Sequence, residues 1–188
     1  MNKIIKIQKF LKKNKYNIFL INRTDEFLGE YIANYAERLN WLTGFSGSAG
    51  RAIITQNSAE LFVDGRYTFQ AKEEINNKEI ELDHLKNYWK SVKQLGKKNG
   101  ILALDTKLHS IEEVLKIKNL FYKAKLKVDF LDYNPIDKIW KYKPKYPQSL
   151  IFNHDIKFAG IKREKKIKRF QKFLKDKKID YYFLSSLD

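Results

Sequence analysis

The stretch Gln8-Lys9-Phe10-Leu11-Lys12 recurs letter for letter as Gln171-Lys172-Phe173-Leu174-Lys175, an offset of 163 residues. Each copy sits in a pattern that predicts an amphipathic helix. In the first, Ile4, Ile7 and Leu11 share a face with Phe10 alongside, and Lys3, Lys6, Lys9, Lys12 and Lys13 take the other positions. In the second, the helix runs over Lys166 to Lys175. Asn14-Lys15 and Lys177-Lys178 break the two helices. Tyr16 to Ile21 and Ile179 to Leu184 then read as buried strands, aromatic and β-branched and too short for helices. The polar punctuation also corresponds, Asn22-Arg23-Thr24-Asp25 against Ser185-Ser186-Leu187-Asp188. Helix followed by buried strand opens an α/β layer, and two such openings imply that one domain type begins twice. The second opening stops after its first strand. A strand without neighbours leaves its backbone groups unpaired. The expectation is an N-terminal piece of a longer protein, with a complete domain over 1–150 and a linker plus the start of a truncated second domain over 151–188.

Between the openings the chain alternates helical and strand patterns. Asp25 to Glu37 is polar and helix-compatible, and Leu39 to Phe45 is apolar. Arg51 to Thr55 and Ala59 to Val63 flank Gln56-Asn57-Ser58 as a hairpin. A helix starts at Arg66 and runs to Ile75; a short strand is expected at Ile80 to Leu82, and a helix over Tyr88 to Leu95 ending near Gly96. Ile101 to Leu104 and Leu126 to Phe130 read as strands, separated by a helix over Ser110 to Phe121 that opens with the capping box Ser110-Ile111-Glu112-Glu113. The segment from Asn134-Pro135 to Pro147 holds all three prolines and reads as a boundary, with a linker near 145–160. The fold class is α/β, a mixed β-sheet flanked by helices.

The net charge is +16, from 38 Lys+Arg against 22 Asp+Glu. Met1 to Leu20 carries six Lys and no acid, and Lys162 to Lys178 carries ten Lys/Arg against two acids, so +14 of the +16 lies on the two equivalent helices. Lys outnumbers Arg 32 to 6. Arg is the side chain that forks onto phosphate and stacks on bases. The charge therefore reads first as a repeated solvated face, with a basic nucleic-acid-binding module as the weaker alternative. The chain has no Cys, hence no disulfide and no thiolate metal site. It shows neither an apolar run of the roughly 18–20 residues a membrane helix needs nor an uninterrupted leader core. A cytoplasmic protein without membrane partners is expected.

Gly44-Phe45-Ser46-Gly47-Ser48-Ala49-Gly50 fails the tests for chemistry. It lacks the Lys-Ser/Thr of a phosphate loop, the second glycine of a dinucleotide fingerprint, and the closing glycine of a nucleophile elbow. A tight turn needing positive φ and close packing is the simpler reading. His84, His109 and His154 are scattered and read as surface or structural. Glu73-Glu74 and Glu112-Glu113 are adjacent pairs whose side chains diverge on a helix, and read as solvated charges. Asp64-Gly65-Arg66 reads either as a turn locked by an ion pair or as a substrate contact. Trp41, Trp89 and Trp140 read as core or interface anchors. From these residues alone the chain has no self-contained catalytic site.

The ordered block Glu37-Arg38-Leu39-Asn40-Trp41-Leu42-Thr43-Gly44-Phe45-Ser46-Gly47-Ser48-Ala49-Gly50, then Val63-Asp64-Gly65-Arg66-Tyr67 and Gln70-Ala71, resembles the N-terminal domain of Xaa-Pro aminopeptidases (aminopeptidase P) of the creatinase/prolidase superfamily. Leu104-Asp105 also resembles the family's Asp-Pro segment, with Thr106 in place of the proline. Asn134-Pro135-Ile136-Asp137-Lys138-Ile139-Trp140 and Lys143-Pro144 resemble the segment closing the first domain, and Phe158-Ala159-Gly160 with Lys165 to Asp188 resembles the entry to the second. The resemblance is to the three-domain form. It implies two similar non-catalytic domains ahead of a catalytic "pita-bread" domain, absent here, which binds two divalent metal ions, often manganese, and acts on peptides with proline second. It implies no catalytic or metal residue, and no cofactor, in this chain. The residues expected to face the missing domains or the substrate entrance are Phe45, Ser46, Ser48, Asp64, Arg66 and Tyr67, and a homodimer is a further expectation. The alternative is a stand-alone binding or regulatory module.

Overall fold

The computed structural model describes residues 2–76, 78–95, 100–122 and 126–184. Gly96 and the Ser185 to Asp188 punctuation lie outside them. The chain divides into two units, Met1–Pro147 and Gln148–Asp188.

In the first unit, α1 (Lys3–Lys13) leads into β1 (Ile18–Asn22), and α2 (Arg38–Thr43) leads into the hairpin β2 (Gly50–Thr55) and β3 (Ala59–Val63). Then come α3 (Thr68–Glu74), β4 (Glu81–His84), α4 (Tyr88–Leu95), β5 (Gly100–Asp105), α5 (Ile111–Tyr122), β6 (Leu126–Leu131) and α6 (Pro135–Ile139). The strands form one mixed sheet in the order β4-β3-β2-β1-β5-β6. β1 pairs antiparallel with β2 (Leu20 opposite Ile53) and parallel with β5 (Phe19 opposite Ala103). β3–β4 and β5–β6 are parallel, joined by crossovers through α3 and α5.

β1 is buried along its whole length, and this explains its continuous apolar run: both faces of the sheet are covered. Successive side chains go to opposite faces. Phe19 and Ile21 join Ile4, Ile7, Leu11, Leu39, Ile54 and Ile136 in a core under α1, α2, α3 and α6. Ile18 and Leu20 join Ile53, Phe62, Tyr88, Ile117 and Phe121 under α4 and α5. The proline-containing segment is thus not wholly boundary. Pro135 sits in the first turn of α6, Asn134 caps it by accepting the Ile136 N–H at 3.0 Å, and Ile136 is fully buried. Trp41 and Trp140 stack with ring centroids 5.3 Å apart.

The polar stretch Asp25 to Glu37 does not form the helix its composition permits. The Asp25 carboxylate accepts the backbone N–H groups of Phe27 and Gly29, both at 3.0 Å, and Leu28 takes φ +57°. A side chain that binds its own backbone in this way competes with the helical ladder. Only a single 3-10 turn, Asn34–Ala36, follows.

The second unit contains α7 (Ile156–Ala159) and α8 (Arg163–Asp176). The sequence repeat is also a repeat of backbone geometry. α1 stops with Lys15 at φ +60°, Lys15 N–H donating to Lys12 O (3.2 Å) and Tyr16 N–H to Leu11 O (2.9 Å). α8 stops with Lys178 at φ +56°, Lys178 N–H donating to Lys175 O (3.0 Å) and Ile179 N–H to Leu174 O (2.9 Å). This is the Schellman stop, with a lysine in both copies at the left-handed position usually given to glycine. The copies part after it. Ile179 to Leu184, expected as a strand, is irregular and has no ladder partner among the described residues. Ile7 is 0% exposed, whereas its counterpart Phe170 is 42% exposed. No helix of the described residues is long and apolar enough to cross a membrane.

All three tryptophans lie in the first unit, so their fluorescence follows its unfolding. Ile7→Ala is expected to lower its stability to urea by about 2–5 kcal/mol, while Phe170→Ala shifts that transition by no more than about 0.5 kcal/mol. Equal shifts would mean that the two faces are equally buried.

Candidate functional site

The glycine loop is shaped by the end of α2. The Thr43 hydroxyl donates to Leu39 O (2.8 Å) and accepts the Phe45 N–H (3.1 Å), and Gly44 turns the chain at φ +88°. This sends the Phe45 ring into the core, where it is 1% exposed. That burial removes Phe45 from the residues expected to face other domains; it supports the loop from beneath. Gly47 passes over the ring so closely that a Cβ there would lie 2.3 Å from Phe45 Cζ and 2.8 Å from Tyr67 Cδ1. Phe45 and Tyr67 meet edge to face at 5.7 Å, and the Tyr67 hydroxyl is 2.8 Å from Ser48 Oγ. That hydrogen bond holds the Tyr67 phenol below its usual range.

Arg66 lies over the Tyr67 ring at 5.5 Å and donates from Nε to Asp64 at 2.8 Å. Asp64 also accepts the Arg66 backbone N–H at 3.0 Å, and Arg66's side-chain hydrogen bond holds the Asp64 carboxyl below the usual range. The Asp-Gly-Arg turn is therefore locked by its ion pair, with the Arg66 side chain 73% exposed. Ser46 points elsewhere: its hydroxyl and N–H donate to Glu74 at 2.6 and 2.8 Å, and Gln70 donates to both partners at 2.9 Å. Glu74 is thus a partnered carboxylate at the surface. Ser48, Asp64, Arg66 and Tyr67 form one continuous feature, with Ser46 on a neighbouring cluster.

A second arrangement lies behind the loop, where a crevice of about 430 Å³ is lined by Asn22, Arg23, Ser48, Arg51, Ser110 and Glu113, among others. Glu113 is not the solvated charge its adjacency to Glu112 suggested. It pairs with Arg51, lies 3.5 Å from His109 Nδ1, and accepts from Asn22 Nδ2 at 3.3 Å. Asn22 Nδ2 also donates to Leu108 O (3.2 Å) and lies 2.9 Å from His109 Nδ1. Burial pushes the Glu113 carboxyl up, but the His109 hydrogen bond and the Arg51 charge outweigh it and leave it below the usual range. The Arg51 guanidinium is clamped over the Tyr88 and Trp89 rings at 5.0 and 5.7 Å. Burial raises the Tyr88 phenol well above its ordinary value. The sequence did carry a signal: His109 and Glu113 stand at i, i+4. The capping box also forms by half only. Ser110 Oγ accepts the Glu113 N–H at 3.1 Å, and the Glu113 carboxylate turns to Arg51 instead of back to Ser110.

Among the described residues no three His, Asp or Glu side chains converge to hold a metal ion. What the loop and crevice offer is fixed charge and hydrogen bonding on a rigid sheet end, the means of binding.

The family model of the creatinase/prolidase N-terminal domain matches residues 3–135. The chain belongs to that family. Its relatives match beyond residue 135. A probable Xaa-Pro aminopeptidase P of Ajellomyces dermatitidis is 27% identical over 99% of this chain and 31% of its own length. One of Paracoccidioides lutzii is 30% identical over 97% of this chain and 30% of its own length. The X-prolyl aminopeptidase of Caenorhabditis elegans, a cytosolic enzyme with a di-nuclear active site, superposes with TM-score 0.75 and 25% identity over 95% of this chain and 31% of its own. The N-terminal domain of a cytoplasmic peptidase from Mycobacterium tuberculosis shares the fold, with TM-score 0.53 and 18% identity over 70% of this chain and 94% of its own. This creatinase/prolidase-type chain therefore spans about a third of the length of the aminopeptidases it matches.

Because the native Glu113 carboxyl lies below its ordinary value, it stabilises the fold above the ordinary carboxylate pKa, and this contribution is lost as pH falls through the native value. Glu113→Gln is expected to unfold at lower urea than the wild type at pH 7, with a shallower loss of stability below about pH 5. Parallel pH profiles for the two proteins would show that Glu113 carries none of the acid sensitivity.

Proposed function

We propose that this chain is the non-catalytic N-terminal region of an Xaa-Pro aminopeptidase, a metallopeptidase that removes the first residue from peptides with proline second. The observation that carries this reading is the extent of the likeness. It does not stop at residue 135 with the family model but runs over 99% of the chain in relatives of that name. A stand-alone module built on the domain alone would not need the second unit. The repeated helix stop at Lys15 and Lys178 supports a first domain over 1–150 and the opening of a second, similar domain over 151–188. The catalytic domain, with two divalent metal ions that we take to be manganese, lies outside these residues. Ser46, Ser48, Asp64, Arg66 and Tyr67 face the other domains or the substrate entrance. The protein works in the cytoplasm, as a homodimer.

Hydrolysis of Arg-Pro-Pro with added manganese tests the reading. The protein extended through its catalytic domain is expected to release arginine, and the 188-residue chain to release none. Metal-dependent cleavage by the short chain would overturn it. In the extended enzyme Arg66→Ala is expected to lower either the rate of hydrolysis or the melting temperature. If both stay at wild-type values, the Asp64-Arg66 turn has no interdomain role.

A further inference from the structure

We propose that the crevice between β1, β2 and α5 holds a carboxylate group on Arg51, and that the group is the chain end of a peptide. β1 and β5 run parallel and end side by side, and antiparallel β2 begins at the same end with Gly50 and Arg51. The crevice thus lies outside the carboxyl ends of neighbouring strands whose connections diverge, where open α/β sheets take their ligands. Its volume of about 430 Å³ suits a small ligand.

The free hydrogen-bonding capacity decides the ligand class. A guanidinium has five donors in a planar fork that matches a carboxylate. Among the described residues Arg51 spends Nη1 on Glu113 and faces the Tyr88 hydroxyl, and its side chain keeps 29% exposure, with donors of the fork to spare. Tyr88 and Trp89 hold its plane. Ser110 Oγ accepts from the backbone, so its O–H remains to donate. Arg23 Nε is buried without an acceptor. The Glu113 carboxylate, in contrast, already accepts from Arg51 and Asn22 and faces His109. The one buried acceptor left over in this wall is Asn22 Oδ1, which suits an amide N–H. Glu30, exposed at the rim, also lines the crevice; within the wall, the buried donors beside one spare amide acceptor complement a terminal peptide unit. Leu28, held at φ +57° by the Asp25 turn, gives the opposite apolar edge.

The choice of a peptide over other carboxylates rests on the peptidase reading above; the carboxylate site does not. The test is titration of the 188-residue chain, followed by backbone amide shifts, with Arg-Pro-Pro as free acid, Arg-Pro-Pro amide, and acetate. The free acid is expected to saturate shifts at Gly29, Arg51 and Ser110 and to bind about tenfold more tightly than the amide or acetate. Arg51→Gln should abolish these shifts. Because that variant strands a buried carboxylate, Glu113→Gln provides the second arm. It removes the competing charge from Arg51, and binding of the free acid should tighten about tenfold. Equal affinity for acid and amide, or a Glu113→Gln variant that folds and binds no more tightly, would overturn the carboxylate site. Acetate binding as tightly as the peptide would overturn the peptide. Binding is read without turnover on this chain, so its failure is separate from any failure of the longer enzyme to cleave.

Discussion

β1 is hydrogen-bonded on both edges and covered on both faces. A backbone buried in this way has only its neighbouring strands to satisfy its N–H and C=O groups. β2 must therefore arrive antiparallel from one side and β5 parallel from the other, and the helices have to divide between the two faces that alternate along five residues. Asn22, the last residue of the strand, is polar and still buried. Its side chain is drawn into the network with His109 and Glu113, so the end of the central strand is also the floor of the crevice. The sheet and the candidate site are positioned by one element.

The charged contacts of this domain differ in weight. Arg66 and Asp64 lie at the surface, where solvent screens the pair and leaves it little weight in stability. Arg38 is 3% exposed and donates from Nε and Nη2 to Asp137 at 2.9 and 3.0 Å and from Nη2 to Glu26 at 2.9 Å. A buried cation that loses its partners costs several kcal/mol, even where the intact pair is close to neutral. Arg38 therefore specifies which segments meet: α2, α6 and the loop after β1. The Arg51–Glu113 pair acts similarly at the crevice, tying β2 to α5.

Local pattern was readable in the sequence wherever it agreed with burial. The continuous run of β1, the β2–β3 hairpin and α4 over Tyr88 to Leu95 follow from periodicity and turn residues. Features that depend on long-range partners, or on where an individual side chain turns, were not. Glu113 read as solvated because adjacent helical carboxylates diverge, yet divergence leaves one of the two free to turn inward, and Arg51, sixty-two residues earlier, takes it. Asp25 to Glu37 read as helix-compatible because composition does not show that the Asp25 carboxylate will capture its own backbone. Ile179 to Leu184 read as a strand from side chains alone, while a strand exists only with a neighbour. In the glycine loop the need for small residues was legible, but the ring of Phe45 turning inward under Gly47 was not.

The pairing of α1 with α6 and of Arg38 with Asp137 joins the beginning of the first unit to its end. On the ribosome, α1 emerges well before α6, the helix that helps cover it. Contacts this distant in sequence form late and slow folding. Until α6 appears, the Ile4-Ile7-Leu11 face is an incomplete apolar surface on a strongly basic helix.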